Sequence, residues 1–276
     1  MPTLYVVATP IGNLEDITLR AIRILNEVGL IAAEDTRKTR HLLNAYGIKT
    51  RLTSYHEHNK RAKLSYLLDC LQVKDLALVS EAGMPGLSDP GYELIVAATQ
   101  RGIQVTPIPG ASAVVTALVV SALPANQFTY LGFLPRKNAE RIRLLQSIAH
   151  EHRTIVAFES PNRLLSSLND MAQVLGNRRI AIVRELTKIH EEVFRGSISK
   201  AVDHFQQPRG EFTLVIEGEK EAEKPVLTSD IEQELCQLQN QGITAREAVK
   251  RLSLTTGLTR RELYQAWLKL KSNGGL

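Results

Sequence analysis

The sequence predicts an α/β protein: two α/β domains followed by a small all-helical C-terminal appendage. Three observations lead there. Strand-like apolar runs alternate with helical periodicity through residues 1–122, which argues for a mostly parallel sheet. Five more strand-like runs fill 123–218, some with no helix between them, which argues for a mixed sheet. From 226 to 276 only helical spacing remains. A chain of 276 residues, 43% hydrophobic and 23% charged, is long enough for two such cores.

The elements follow in order. TLYVVA opens as a strand, and ITLRAIRILNEV follows as a helix with Ile17, Ala21, Ile24, Leu25 and Val28 on one face. LIAAE is a strand, and TRKTRHLLNAYG a short helix ending at a glycine. RLTSY, LALVS and IQVTPIP are strands, separated by helices over NKRAKLSYLLDCLQ and Pro90–Gly102. ASAVVTALVVSAL reads as a buried helix, because its apolar run is too short to span a bilayer. In the second domain FTYLGFLP, TIVAFES, RIAIVREL, EEVFRGS and GEFTLVIEG read as strands. Helices are predicted over Ala139–Glu151, Pro161–Leu175 and Ser199–Phe205. GEKEAEKPVLTSD reads as a linker. Beyond it, capping boxes at Thr244–Glu247 and Thr259–Glu262 outline a helix-turn-helix.

Four loops at the carboxyl ends of the first domain's strands are unusual: Thr9–Asn13, Glu34–Thr36, Ser80–Gly91 and Pro107–Ala113. Ligands of open α/β sheets bind at that edge. The glycine-rich loop SEAGMPGLSDPG follows a strand and precedes a helix, yet neither GxxxxGK nor GxGxxG occurs. A bulky neutral ligand held by main-chain groups fits better than a phosphate. Within this loop, Asp89 and Pro90 read as the cap and first residue of the following helix.

Composition removes other classes. Cys70 and Cys236 have no CxxC spacing, so reduced, buried thiols are expected rather than a disulfide or metal site. HEH at 56–58 puts two imidazoles on one strand face without a third ligand nearby, which argues against zinc. The start MPTLYVVATPIG lacks the basic region and long apolar core of a signal peptide. A cytosolic protein is expected. The formal charge of +5 hints at a polyanionic partner. It is concentrated: Arg37–Lys63 holds eight Lys or Arg (37, 38, 40, 49, 51, 60, 61 and 63) against Glu57 alone. His41, His56, His58, Tyr46 and Tyr55 are interleaved, a pattern suited to RNA backbone contact and base stacking.

TPIGN, SEAGMPGLSDPG, PIPGASA, FESPNR, VRELTK and GEFTLVIEG, in this order and spacing, resemble the tetrapyrrole methylase family of class III S-adenosylmethionine (SAM) methyltransferases. The resemblance covers about Thr3 to Gly218, and TPIGNLEDIT, EDTRKT, SDPG and FESPNR are closest to its ribosomal RNA small subunit methyltransferase I branch. It implies the tetrapyrrole methylase fold, with SAM folded in a cleft between the two α/β domains, and a homodimer. The implied cofactor contacts are Pro10, Ala82, Gly83, Met84, Leu87, Ser112, Ala113, Phe158, Phe212 and Thr213. Tetrapyrrole-modifying members often carry an acid where Met84 stands. The implied reaction is methylation of the ribose 2′-oxygen of a decoding-centre cytidine in 16S rRNA, on the small ribosomal subunit and without a metal. The rivals are C-methylation of a tetrapyrrole precursor and a non-catalytic RNA- or ribosome-binding role.

A ribose hydroxyl needs a base within reach. Glu159, Asp35 and Glu34 are the candidates carried forward, with Glu185 and His56 also near the loops. Asp35 doubles as an N-cap. RNA contacts are expected from Arg37, Lys38, Arg40, Arg51, Lys60, Arg61, Lys63 and Arg163, the last of which also suits a pair with Glu159.

Overall fold

The computed structural model describes residues 2–220 and 227–273, with side chains to residue 270. It divides into two compact units, Met1–Glu219 and Lys220–Leu276.

The first unit contains two sheets. One is built from β1 (Thr3–Val7), β2 (Leu30–Ala33), β3 (Leu52–Ser54), β4 (Leu76–Val79) and β5 (Gln104–Ile108), in the order β3-β2-β4-β1-β5. Every pairing in it is parallel. Helices α1 (Leu19–Glu27), α2 (Thr36–Ala45), α3 (Lys60–Cys70), α4 (Tyr92–Gln100) and α5 (Ala113–Val120) link or follow the strands. β2 and β4 are apolar and buried throughout, as a sheet covered on both faces requires. In α1, Ala21, Ile24 and Leu25 are buried, and Thr18 caps the helix by accepting from the Ala21 N–H.

The second sheet runs β6-β7-β10-β8-β9: β6 (Phe128–Phe133), β7 (Thr154–Glu159), β8 (Arg179–Arg184), β9 (Glu192–Ser197) and β10 (Phe212–Ile216). β6 and β7 are parallel and the other pairs antiparallel, so the sheet is mixed. Its residues alternate between two cores with the period of two that a strand imposes. Ile155, Ala157, Ile180, Ile182, Leu214 and Ile216 pack with α6 (Asn138–Ser147), α7 (Pro161–Leu175) and α8 (Ile198–His204). Val156, Ala181, Val183 and Val215 face the other way, against Val114, Ala117 and Leu118 of α5. Thus the helix that follows the first sheet is packed on the second, and both sheets fall within one compact unit.

Several expectations change in detail. α5 is not wholly buried, since Val115 and Val119 are 53% and 72% exposed. The HEH residues form a turn after β3 rather than a strand face. Neither cysteine is the buried thiol expected: Cys70 is half-buried and Cys236 exposed. α4 starts at Tyr92, capped by Gly91, so Asp89 is not its cap.

The second unit has three helices: α9 (Ser229–Asn240), α10 (Ala245–Thr255) and α11 (Arg260–Asn273). They enclose Leu235, Ala248, Val249, Leu252, Leu258, Leu263, Ala266 and Trp267. The capping box at Thr259 forms in full, and that at Thr244 in part. The Thr244 hydroxyl accepts from the Glu247 N–H, and Thr259 and Glu262 bond reciprocally. Of the expected linker, residues 221–226 lie outside the described residues. Among the described residues no helix is long and apolar enough to cross a membrane.

Candidate active site

The strand order sets the site. From β1 the chain moves toward the β3 edge, and from its neighbour β4 toward the β5 edge. Loops leaving adjacent strands in opposite directions open a crevice at their carboxyl ends. Here the two loops are tied together: Thr9 and Gly83 exchange backbone hydrogen bonds of 2.9 and 3.0 Å. Gly83 adopts φ +79°, a conformation that side-chain-bearing residues rarely take. The loop after β5 closes in from the other side. A Cβ on Gly110 would stand 2.9 Å from the Ala8 Cβ, so only glycine allows that approach.

The crevice is a cavity of about 460 Å³, within the range of about 300–1,000 Å³ usual for small-ligand sites. Of the expected cofactor contacts, Ala82, Gly83, Met84, Leu87, Ser112, Ala113, Phe158, Phe212 and Thr213 line it. Pro10 does not, but its neighbour Ile11 does. No side chain caps α5, so the cleft is lined at this corner by the helix's opening residues, Ser112 to Val114. Phe133 and Phe158 lie with ring centroids 5.3 Å apart, and Phe133 is left 58% exposed at the cleft.

Five carboxylates also line the cleft: Glu34, Glu81, Asp89, Glu159 and Glu211. Their settings differ. Glu159 is fully engaged. It accepts from the Ser160 N–H and the Ser167 hydroxyl at 2.6 Å each, and pairs with Arg163 at 2.7 Å. Arg163 also donates to the Leu134 carbonyl, and its pair with Glu159 ties β7 to the start of α7. Glu34 accepts from the Glu81 N–H at 3.1 Å, and Glu81 is ion-paired with Lys38. Glu211 pairs with Lys188 at 3.0 Å.

Asp35 lies outside this lining. It caps α2, and hydrogen bonds from the Arg37 side chain, then from the Arg37 and Lys38 N–H groups, hold its carboxyl down at about 2. A carboxylate that acidic is a weak base. For Glu185, burial raises the carboxyl's pKa, but bonds from the Glu211 N–H and the Lys188 ammonium outweigh it and the net shift is downward. His56 has a buried Nδ1 without a partner among the described residues.

Asp89 is the cleft carboxylate to which sequence reasoning gave no part in the chemistry. No Lys, Arg or His among the described residues pairs with it. Burial first, then the charge of Glu34, raises its carboxyl to about 7, and the Ser80 hydroxyl offsets part of the rise. The preceding Ser88 holds φ +66° and its hydroxyl lies 2.7 Å from that of Tyr130. Strain and an acid of raised pKa in a cleft are marks of a functional site. The only sequence signal was an Asp–Pro pair that ordinary capping also explains.

The basic track divides. Arg37, Lys38, Arg40, Arg51 and Arg61 are exposed. Lys60 is held between Glu57 and Glu93, and Lys63 is bonded to Thr53 and sits over the Tyr66 ring. No group of His, Cys, Asp and Glu among the described residues is arranged to hold a metal ion.

Two sheets around a glycine-built, acid-lined cleft define an α/β protein with a small-molecule site at the strand ends. A family model described as Tetrapyrrole (Corrin/Porphyrin) Methylases matches residues 3–202. Ribosomal RNA small subunit methyltransferase I of Halalkalibacterium halodurans is 47% identical over 272 residues, covering 96% of this chain and 94% of that protein. The protein of the same name from Thermotoga maritima is 49% identical and is matched over its full length by 80% of this chain. Among solved structures, a diphthine synthase superposes with a TM-score of 0.61 at 13% identity, over 79% of this chain and 90% of its own, a likeness of fold. The chain belongs to the tetrapyrrole methylase family, in its ribosomal RNA small subunit methyltransferase I branch.

Proposed function

We propose that the protein methylates 16S rRNA with SAM, on the ribose 2′-oxygen of a decoding-centre cytidine in the small ribosomal subunit. The observation that carries this reading is the juxtaposition of an acid-lined cleft with an exposed basic track beside it in sequence. Bound SAM supplies an electrophilic methyl group on a sulfonium. A sulfonium and an ammonium are cationic, and Glu34 and Glu81 suit them, while Leu87, Phe133 and Phe158 offer apolar and aromatic surface. Ala82, Gly83, Ser112, Ala113, Phe212 and Thr213 are the residues that would hold it. The exposed Arg37, Arg40, Arg51 and Arg61 suit RNA phosphates instead. Curated relatives named for small-subunit rRNA methylation support the acceptor. The cytoplasm, where ribosomal subunits reside, is the compartment of this reading, and a homodimer is its expected state from the resemblance alone.

The test is methyl-labelled SAM with small subunits from a strain lacking the gene, followed by alkaline hydrolysis of the RNA. A 2′-O-methyl blocks cleavage of its own linkage, so label is expected in a dinucleotide. Label in mononucleotides would point to a base methyltransferase, and no label at all would remove rRNA as the acceptor.

The basic track makes its own prediction. Replacing Arg40, Arg51 and Arg61 together by alanine is expected to weaken binding to the subunit and leave SAM affinity unchanged. Each phosphate that is no longer neutralised should flatten the log–log salt dependence by about 0.7. An unaltered salt slope would place the RNA elsewhere.

A further inference from the structure

We propose that Asp89 is the general base that takes the proton from the acceptor hydroxyl. The inference rests on the reading above, in which a ribose 2′-oxygen is the acceptor.

Geometry carries it first. Asp89 lines the same cavity as Gly83, Met84 and Phe158. It is held there by a loop that has not yet entered the helix: Ser88 is in the left-handed region at φ +66°, and Gly91 at φ +151° is the cap of α4. A Cβ on Gly91 would approach the Leu78 side chain to 3.0 Å and the Gly86 nitrogen to 3.2 Å. The turn that displaces Asp89 from the capping position therefore depends on glycine. Non-glycine residues in such conformations are strained, and they persist where the surrounding structure imposes them. Here the Ser88 hydroxyl is fixed against Tyr130 of β6.

Elimination among the carboxylates carries it further. Glu159 is saturated by Arg163, Ser160 and Ser167. Asp35 caps α2 outside the cavity, Glu34 accepts from a backbone N–H, Glu81 pairs with Lys38, and Glu211 pairs with Lys188. Asp89 alone of the cleft carboxylates has no cationic partner and no backbone donor among the described residues. The groups that face it are Glu34 at the end of β2, Glu81 and Ser80 in its own loop, and Tyr130 of β6. Burial first, and then the charges of Glu34 and Glu81, oppose its negative charge, so it accepts a proton readily near neutral pH.

The step balances simply. The ribose oxygen forms a bond to the methyl carbon as the carbon–sulfur bond breaks. That electron pair stays on sulfur, which becomes a neutral thioether. The hydroxyl proton passes to the Asp89 carboxylate, and solvent carries it away after release.

The experiment compares wild type with Asp89→Asn, which keeps the shape and removes the base. SAM binding by calorimetry shows that the variant is folded. Expected is a fall in kcat/KM on small subunits of about 100-fold or more. The wild-type profile should rise with pH through an inflection near 7, and the variant's should be flat. A second readout needs no turnover. Between the unfolded value of 3.8 and about 7 the folded chain holds a proton that the unfolded chain has released. Wild-type stability therefore falls as pH rises through this window, and the variant is spared that fall. The melting temperature of Asp89→Asn should exceed wild type by a margin that grows from pH 5 to pH 8, reaching about 2–4 °C or more. Wild-type inactivity on rRNA would sink the acceptor and this role with it. Active wild type with an equally active Asp89→Asn, or a constant melting difference across pH, would overturn Asp89 alone.

Discussion

Gly83→Val is expected to weaken SAM binding by about 5- to 150-fold while leaving the circular dichroism spectrum unchanged. Gly83 sits at φ +79°, where a β-branched residue is strained by about 1–3 kcal/mol. The space itself is adequate: a Cβ would lie 3.5 Å from Ile11 and 3.7 Å from the Ala111 carbonyl. The cost is therefore one of backbone. The loop relieves the strain by leaving positive φ, which breaks the paired bonds between Thr9 and Gly83. Binding must then restore them, and the strain is subtracted from affinity. Gly102→Val is the control. It has φ +70°, a Cβ there would meet no atom within 4 Å, and it lies outside the cleft lining. It should lose stability and keep its affinity. Equal Kd values for Gly83→Val and wild type would show that this turn is not part of the cofactor cradle.

Asp170→Ala is expected to destabilise the first unit by about 3–5 kcal/mol, seen as a fall in Tm of about 10 °C. Arg141 is 3% exposed, and donates to Asp170 through Nε at 2.6 Å and Nη2 at 2.5 Å. Asn138 donates to both Asp170 oxygens at 3.0 and 3.1 Å. Removing the carboxylate strands a buried guanidinium and an amide between α6 and α7. Replacing both ends of the pair is different, because apolar groups of similar volume need no partner. Asp170→Leu with Arg141→Met should recover most of the loss. Chemical denaturation with wild type, single and double variants measures it, and a double variant no better than the single would refute the stranded-charge explanation.

Much of the fold was legible because its signals are local. β2 and β4 are continuous apolar runs, α1 has its buried face at helical spacing, and the Thr259–Glu262 capping box of the second unit formed as read. The loops that meet at the cleft were legible from glycine and proline placement after strands. Individual carboxylates were not. Glu159 and Asp89 each stand beside a proline in a motif, with Ser-Pro after one and Pro-Gly after the other. The FESPNR string offers Arg163 as a partner for Glu159, but nothing in either string shows that Ser167 also occupies the first while Glu34 confronts the second. The same holds for the basic track, where sequence counts charge but not that Glu93 claims Lys60.

The sequence by itself determined the alternation of elements, the chemistry of the loops and the family. Tertiary structure alone decided that α5 packs on the second sheet, so that both sheets share one compact unit. It also decided which cleft acid is left with neither a cation nor a backbone donor among the described residues. The physical reason is range. Periodicity, capping and turn formation act over a few residues and are written in neighbouring letters. Charge pairing and burial depend on groups tens of residues apart, and only the folded chain brings them within reach of one another.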